Sequence, residues 1–507
     1  MVLEKLKPTI VWNIFENVVA STPRPSKHEE KIRNKIKDWI FEQKRTSNIN
    51  FKIFEDNVGN LLIKRPASKG MELIPSILLQ GHLDMICVTE RPEGYTFFEK
   101  GIPLRIQENN EWVDADGTTL GADNGIGIAL ALSILIEKEI EESHGLIEVL
   151  FTVNEEDGFT GATNLDVKAL NIKSKYMINL DSGPQGEIII GSVCGRRTYF
   201  RKKFEWLKPK SKKDLLFIEL AISGLLSGHS GGDIHLPRAN ANKLVTRILS
   251  AIIQEIELHI CNWNGGIKGN IIPSESKVIF AINSKDRNLF ENLIDKEIST
   301  YYDYYKSNIS NPPKLESNLQ IEWKIVESED FLSLRDTRNI IYTANIIPHG
   351  VIRNSPFFEN FVETSNNFAT VKTENNEIEF QLYPRSIIRT ELDSFCRRMS
   401  HLAELANWQI TLRPVLPEWI PRPESKFLSY VKEQYEAILK KPVKVNVIHG
   451  GLETGMISKK IPGIDMISIG PTIIGEHTTN EKLKISDVGI VFELLIQIIK
   501  NFPKSQY

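Results

Sequence analysis

Acidic and imidazole side chains recur at the ends of short apolar runs in the first part of this 507-residue chain. They fall in Gly81-His82-Leu83-Asp84, Gly121-Ala122-Asp123-Asn124-Gly125, Asn154-Glu155-Glu156-Asp157-Gly158 and Asn179-Leu180-Asp181-Ser182. A further histidine stands far downstream in Gly475-Glu476-His477-Thr478. Carboxylate oxygens and imidazole nitrogens together are what a pair of divalent cations takes as ligands. Adjacent Glu155 and Glu156 repel each other unless cations hold them; one can then ligate while the other accepts a proton from water. The chemistry these residue types support is metal-assisted hydrolysis. His82 and Asp84, two residues apart on a continuing strand, face the same way, so one can ligate while the other orients the imidazole. Asp123 opens an apolar run, where a carboxylate has an ordinary use as a helix cap. The flanking Gly121, Gly125 and Gly127 point instead to close backbone approach and a bridging carboxylate.

Such groups meet only if the chain delivers them to one place. Residues 77–80, 148–152 and 176–180 read as strands, and in an open α/β sheet the residues just past the strand C-termini converge on one crevice. Leu3, Leu6, Ile10, Ile14 and Val18 keep a helical period, so an amphipathic helix is expected to open the chain. Ser26-Lys27-His28-Glu29 has the form of a capping box and predicts a helix to about Gln43. Hairpins are expected near residues 57–60 and 103–114, and a helix apolar almost all round over 125–137.

Beyond Cys194 the composition shifts. Arg196, Arg197, Arg201, Lys202, Lys203, Lys208, Lys210, Lys212 and Lys213 surround Tyr199, Phe204 and Trp206. Basic and aromatic interleaving also occurs in nucleic-acid binders, but the segment is read as a solvated crossover strand between domains. Residues 215–223, 239–256, 257–262, 277–282 and 288–306 then form one strand and helix series. Residues 320–326, 332–346, 361–370, 377–383, 391–405 and 409–414 form a second, predicting two α/β lobes of the split βαβ kind. If His477 joins the early ligands, residues 1–196 and 418–507 make one catalytic domain and 197–417 are an insertion.

Formal net charge is −3, which gives no global attraction to nucleic acid or an anionic membrane. Cys87, Cys194, Cys261 and Cys396 are scattered without a C-x-x-C, as free thiols of a reducing compartment are. The greasiest stretch, 126–136, falls short of the ~20 residues that span a bilayer. The first residues lack the apolar core of a signal peptide. A cytoplasmic protein is expected. Gly228-His229-Ser230-Gly231-Gly232 matches G-x-S-x-G, but a nucleophile elbow needs a helix to leave at once, and Asp233-Ile234-His235-Leu236-Pro237 intervenes. Gly121–Gly127 lacks the G-K-[ST] of a phosphate loop.

Gly81-His82-Leu83-Asp84-Met85, Gly121-Ala122-Asp123-Asn124-Gly125-Ile126-Gly127, Asn154-Glu155-Glu156, Asn179-Leu180-Asp181-Ser182, Gly228-His229-Ser230-Gly231-Gly232-Asp233-Ile234, Arg238-Ala239-Asn240-Ala241, Arg353-Asn354-Ser355, His449-Gly450-Gly451-Leu452-Glu453-Thr454-Gly455 and Gly470-Pro471-Thr472 through His477 together resemble the aminoacyl-histidine dipeptidases. These are cytosolic di-zinc exopeptidases of the aminoacylase and glutamate-carboxypeptidase superfamily. The resemblance covers nearly the whole chain. It implies an α/β fold: a catalytic domain with a mixed central sheet flanked by helices, plus an inserted two-lobed α/β lid. It implies two divalent metal ions, zinc, with manganese or cobalt as alternatives. By the family pattern His82 and Asp181 would bind one ion, Glu156 and His477 the other, and Asp123 both. Glu155 would be the general base, Asp84 the partner of His82, and His229 the lid group that stabilises the tetrahedral intermediate. The Asp123–Asn124 peptide would be cis. Departures from the pattern are Ser192-Val193-Cys194-Gly195-Arg196-Arg197 in place of a small, Gly-rich stretch, Gly450 for alanine, and Thr478-Thr479 for Ser-Pro. None of these touches an expected ligand.

A dipeptidase must reject longer peptides, most directly by pairing both free ends of its substrate with fixed charges. Arg353, in a glycine- and proline-flanked turn, can grip a carboxylate bidentately. Asn270, in Gly269-Asn270-Ile271-Ile272-Pro273, is placed to assist it, and Glu453 is the candidate for the ammonium end. The expected partner is thus a dipeptide, with no nucleic acid, no membrane, and a homodimer as a possibility. Alternatives are an N-acyl amino acid deacylase, a serine hydrolase on Ser230, and a non-catalytic binding protein on the same fold.

Overall fold

A computed structural model describes residues 2–47, 49–91, 95–208, 214–306, 315–328 and 330–502, so Lys210, Lys212 and Lys213 of the basic segment lie outside the described residues. The chain forms two compact units. One comprises Met1–Ser192, Trp419–Val447 and Leu452–Tyr507; the other comprises Val193–Glu418 and Ile448–Gly451.

The first unit is built on an eight-stranded mixed sheet. Its order is Lys52–Glu55, Leu61–Arg65, Ile147–Thr152, Ile77–His82, Tyr176–Asn179, Asp465–Ser468, Glu187–Ser192 and Lys444–Ile448. Ile77–His82 runs parallel to both neighbours, pairing Ile77 with Ile147 and with Tyr176. Asp465–Ser468 continues the parallel run beside Tyr176–Asn179. Ile77–His82 and Ile147–Thr152 are buried at every position. Parallel strands covered on both faces need continuous apolar runs, not alternation, which is how these segments read. One of the polar residues inside this sheet is Glu148, fully buried, whose carboxylate meets Lys64 Nζ at 2.7 Å. It also accepts from the N–H groups of Lys173 at 2.9 Å and Ser174 at 2.8 Å. A charge can stay in such a place only when paired and hydrogen-bonded. The helix Ala122–Ile136 is buried along nearly its whole length.

Two local expectations are corrected here. The first helix begins only at Thr9 and continues as a π-helical turn, Phe15–Ala20. Pro8 has no N–H and biases Lys7 away from helix, so Leu3 keeps the period but is buried from a turn. The second helix spans Glu30–Thr46 and lacks a side-chain cap. The Ser26 hydroxyl is used elsewhere.

The second unit carries a ten-stranded antiparallel sheet. Its main path is Gln320–Ile325, Leu215–Ser223, Ser276–Asn283, Leu258–Gly265, Val362–Glu374, Glu377–Ser386, Thr198–Lys203 and Gln409–Leu412, with Gly350–Asn354 beside Val362–Glu374. The elements follow the two predicted series, but the pairing does not divide where the periodicity does. Gln320–Ile325 pairs with Leu215–Ser223 and so completes the first series. Gly265 opposite Val371 joins the two halves into one sheet. One core, including Ile248, Trp263, Phe368, Phe380 and Phe395, runs beneath both. In the basic segment, Thr198–Lys203 sets Arg201 opposite Glu379, and the Arg201 Nε–H donates to that carboxylate at 2.5 Å. Its charge is therefore spent on a cross-strand pair. Among the described residues no helix is long and apolar enough to cross a membrane, and Cys87, Cys194, Cys261 and Cys396 are free.

Candidate active site

In the first unit the strand ends do converge. His82 closes the strand Ile77–His82, Glu155 and Glu156 follow Ile147–Thr152, Asp181 follows Tyr176–Asn179, and Asp123 lies in the first turn of Ala122–Ile136. His82 Nε2 lies 2.9 Å from Asp123 Oδ1 and 3.4 Å from Asp181 Oδ1. His477 Nε2 lies 3.2 Å from Asp123 Oδ2 and 2.9 Å from Glu156 Oε1. The two oxygens of Asp123 thus serve two different imidazoles. Three overlapping groups, His82/Asp123/Asp181, His82/Glu155/Glu156 and Asp123/Glu156/His477, each keep their ligand atoms within 4.8 Å of one another. The Asp123–Asn124 peptide is cis.

Asp84 sits behind this cluster, fully buried. Its Oδ1 lies 3.4 Å from His82 Nδ1 and accepts from Glu155 N–H at 2.9 Å. Its Oδ2 accepts from Glu156 N–H at 3.2 Å and from the Ser26 hydroxyl at 2.8 Å. One carboxylate therefore fixes the imidazole and the backbone of both glutamates, which explains why Ser26 is not a helix cap. Three further groups had no side-chain role assigned from the sequence. Buried Arg24 donates to the carbonyls of Asp84 at 2.8 Å, Leu83 at 3.1 Å and Gly121. Glu481 accepts from the N–H groups of Gly121 and Ala122, both at 2.8 Å, and of Asp123 at 3.2 Å. The Asn124 amide donates to Leu180 O at 2.6 Å. Together they pin the turn that aims Asp123. Arg24, between two prolines, and Glu481, four residues after His477, match no motif; only their unusual burial marks them.

The electrostatics are those of a site short of positive charge. Among the described residues, the cations within ion-pair distance of Asp84, Asp123, Glu156 and Asp181 are two imidazoles, His82 and His477. Burial drives the Asp181 carboxyl up to about 7, against the pull of His82. Burial, then Glu156, Asp181 and Glu453, raise Glu155 well above the carboxylate range, with His82 opposing. Burial also works against a charged His477, yet its contacts with Asp123 and Glu156 carry it up to about 11. Burial opposes ionisation of Asp123 too, but His477 and His82 hold it below its ordinary value. Oxygen and imidazole donors crowded together, with carboxylates outnumbering cations, fit a pair of divalent ions. A cavity of about 390 Å³ opens beside Asp123 and Asp181, walled by Gly183-Pro184 and by Gly470 to Ile474, with Glu476 on its rim.

Glu453 belongs to the same unit but is 1 % exposed. It accepts from Gln80 Nε2 at 2.7 Å and from the Thr152 hydroxyl at 2.5 Å, and burial lifts it to about 7. It does not line the cavity.

The second unit gathers its own polar cluster. Ser230 N–H donates to Asn270 O at 2.8 Å, and His229 bridges to Ile271 across the same short ladder. His229 Nδ1 accepts from Gly232 N–H at 3.1 Å, and Ser365 Oγ meets His449 Nε2 at 2.7 Å. Ser230 is 1 % exposed, well past the strand Leu215–Ser223 and well before the helix Ala241–Ile252, so no nucleophile elbow forms. Arg353 is half exposed, with Nε 3.2 Å from the buried Glu363 and Nη1 3.8 Å from Glu391. Arg385, missed in the sequence because it sits inside a strand pattern, is 3 % exposed and stacks on Tyr383 at 4.2 Å. Among the described residues its Nε has no hydrogen-bond partner and no acid forms an ion pair with it; burial lowers its pKa.

Comparison with known proteins adds independent weight. The model of peptidase family M20/M25/M40 matches residues 78–501. The cytosol non-specific dipeptidase of Escherichia coli (strain K12) is 34% identical over 502 residues, 99% of each chain. The crystal structure of an aminoacylhistidine dipeptidase from Vibrio alginolyticus superimposes with a TM-score of 0.79 at 32% identity, covering 99% of this chain and 98% of the other. Aminopeptidase PepT from Bacillus cereus shares the fold at a TM-score of 0.55 and 17% identity, covering 98% of this chain and 99% of that one. Acidic and imidazole groups at the strand ends, a carboxylate shared between two imidazoles and a match along the whole chain agree: this protein belongs to peptidase family M20/M25/M40.

Proposed function

We propose that this chain is a metal-dependent dipeptidase in which Glu155 is the general base. The observation that carries this is the sharing of Asp123 between His82 and His477, with Glu155 beside them. His82 and Asp181 would hold one divalent ion, Glu156 and His477 a second, and Asp123 both; zinc suits the mixed nitrogen and oxygen set, as manganese and cobalt also would. When bound, such a pair polarises the scissile carbonyl and makes water a better nucleophile near neutral pH. Glu155 accepts a proton from the attacking water and returns it to the leaving amine. Asp84 keeps the His82 tautomer that leaves Nε2 facing the ions. His229, with Asn270, is assigned to the developing oxyanion and the substrate backbone.

Two guanidiniums compete for the substrate carboxylate. Arg353 is already engaged by Glu363 and Glu391, whereas Arg385 is buried and has no ion pair among the described residues, which favours Arg385. For the ammonium end, Glu476 on the cavity rim is better placed than Glu453, whose carboxyl holds Gln80 and Thr152. A dipeptide and its C-terminally amidated form separate the two arginines. The clamp variant loses turnover on the first substrate only, and a structural variant loses equally on both. The whole assignment is tested by metal analysis with dipeptide cleavage before and after chelation. Undiminished cleavage by metal-free protein refutes it.

A further inference from the structure

The second unit contains a cavity of about 460 Å³ that takes no part in the chemistry above. Arg238, Lys243, Arg247, His235 and His349 line it, together with neutral groups, and no carboxylate does. Among the described residues, no acid forms an ion pair with Lys243 or Arg247, and Arg238 has a single one, Asp233 at 3.2 Å. Of these cations Lys243 is held in place and Arg247 and His235 are exposed. Lys243 Nζ donates to the carbonyls of Ala344 at 2.8 Å, Asn345 at 3.0 Å and Ile347 at 2.9 Å. His349 Nδ1 lies 3.3 Å from the Asn240 amide. Their mutual repulsion is felt: burial and then Arg247 bring Lys243 down to about 8. Burial, then Lys243 and Arg247, bring His349 down to about 3. Like charges gathered around one concavity raise the local concentration of anions and are relieved by binding one. Two guanidiniums offer more donors than a single carboxylate needs and suit the several oxygens of a doubly charged group, while Lys243, its N–H groups taken by carbonyls, adds charge.

We propose that this cavity binds a phosphate group, carried by the free ion or by a small phosphomonoester. Arg238 also anchors Asp233, whose Oδ2 accepts the His229 N–H at 2.8 Å, so the site is tied to the turn that bears His229. The test is calorimetric titration of the metal-loaded protein with inorganic phosphate and, separately, with phosphoserine, in chloride buffer of matched ionic strength. One saturable site is expected, weakened about tenfold or more in Arg247→Glu and less in Arg247→Lys, since charge-assisted contacts carry the affinity. Tighter binding of phosphoserine assigns the site to a phosphomonoester, and tighter binding of phosphate assigns it to the free ion. Arg247 is exposed on its helix, so its replacement leaves the core intact; His235→Glu provides a second exposed variant with the same expected loss. Equal affinity in the parent protein and both variants would put the anion elsewhere, at the metal centre for instance, and overturn the proposal. Absence of saturable binding would overturn it too.

Discussion

Replacing Asp84 by asparagine probes how much of the metal centre depends on a group that would touch no metal. Asparagine keeps the shape but only one acceptor oxygen. With that oxygen at the Oδ1 position, the amide nitrogen faces the Glu156 N–H, now 3.2 Å from Oδ2. With it at Oδ2, the amide nitrogen faces His82 Nδ1 and the Glu155 N–H, now 2.9 Å from Oδ1. Ser26 can turn its hydroxyl round, but a backbone N–H cannot. Either orientation leaves a buried donor against a donor, costing about 1–3 kcal/mol, or roughly 5- to 150-fold in an equilibrium. Losing the partner of a ligating imidazole costs about 10- to 100-fold in metal affinity by general experience. The two routes agree on a loss of about ten- to a hundredfold. Metal affinity can be read by titrating activity against a competing chelator, and turnover measured separately at saturating metal. Affinity within about twofold of the parent protein would refute the role given to Asp84.

Other changes have different signatures. Glu155→Gln should keep its metal content but lose about 10²- to 10⁴-fold in kcat, because an amide cannot accept the proton; elemental analysis and kinetics on the same sample decide it. Lys64→Ala should cost about 3–5 kcal/mol of stability by leaving Glu148 charged and unpaired inside the sheet, read by denaturant unfolding at pH 7. His449 is buried, and burial, then Arg385, hold it down to about 3. The unfolded chain takes up that proton near pH 6.5 and the folded one only near 3. Stability present above 6.5 is therefore lost as the pH falls through this window, at up to about 1.4 kcal/mol per pH unit. His449→Gln should flatten the dependence of the urea midpoint between pH 7 and 5.

The acidic and imidazole cluster was legible because each of its residues stands at the end of an apolar run and announces itself locally. His82, Asp123, Glu155, Glu156, Asp181 and His477 needed no knowledge of pairing, only the expectation that strand ends converge. What was hidden depended on distant partners. Ser26 satisfied a capping pattern, but the lone pairs of buried Asp84 made the stronger demand. Glu481 caps a turn 360 residues earlier in the chain, and no window of sequence contains both ends of that contact. Arg385 falls where alternation along a strand is silent about burial. The strand Gln320–Ile325 was visible as an element but not as the edge of the first half, since periodicity fixes which face is apolar and not which neighbour it joins.

The order of strands in the first sheet has a consequence for how the protein is made. Asp465–Ser468 lies between Tyr176–Asn179 and Glu187–Ser192, so the sheet keeps a gap until a late part of the chain leaves the ribosome. The second unit is contiguous apart from Ile448–Gly451, and its strands can pair while that gap is still open. His477 arrives 321 residues after Glu156, and Glu481 later still. A nascent chain therefore presents four of the five proposed ligands for most of its synthesis, and any ion it captured early would be held without the second imidazole. Such long-range closure is slow. It also means that the acidic and imidazole cluster is completed only when residue 477 has been made.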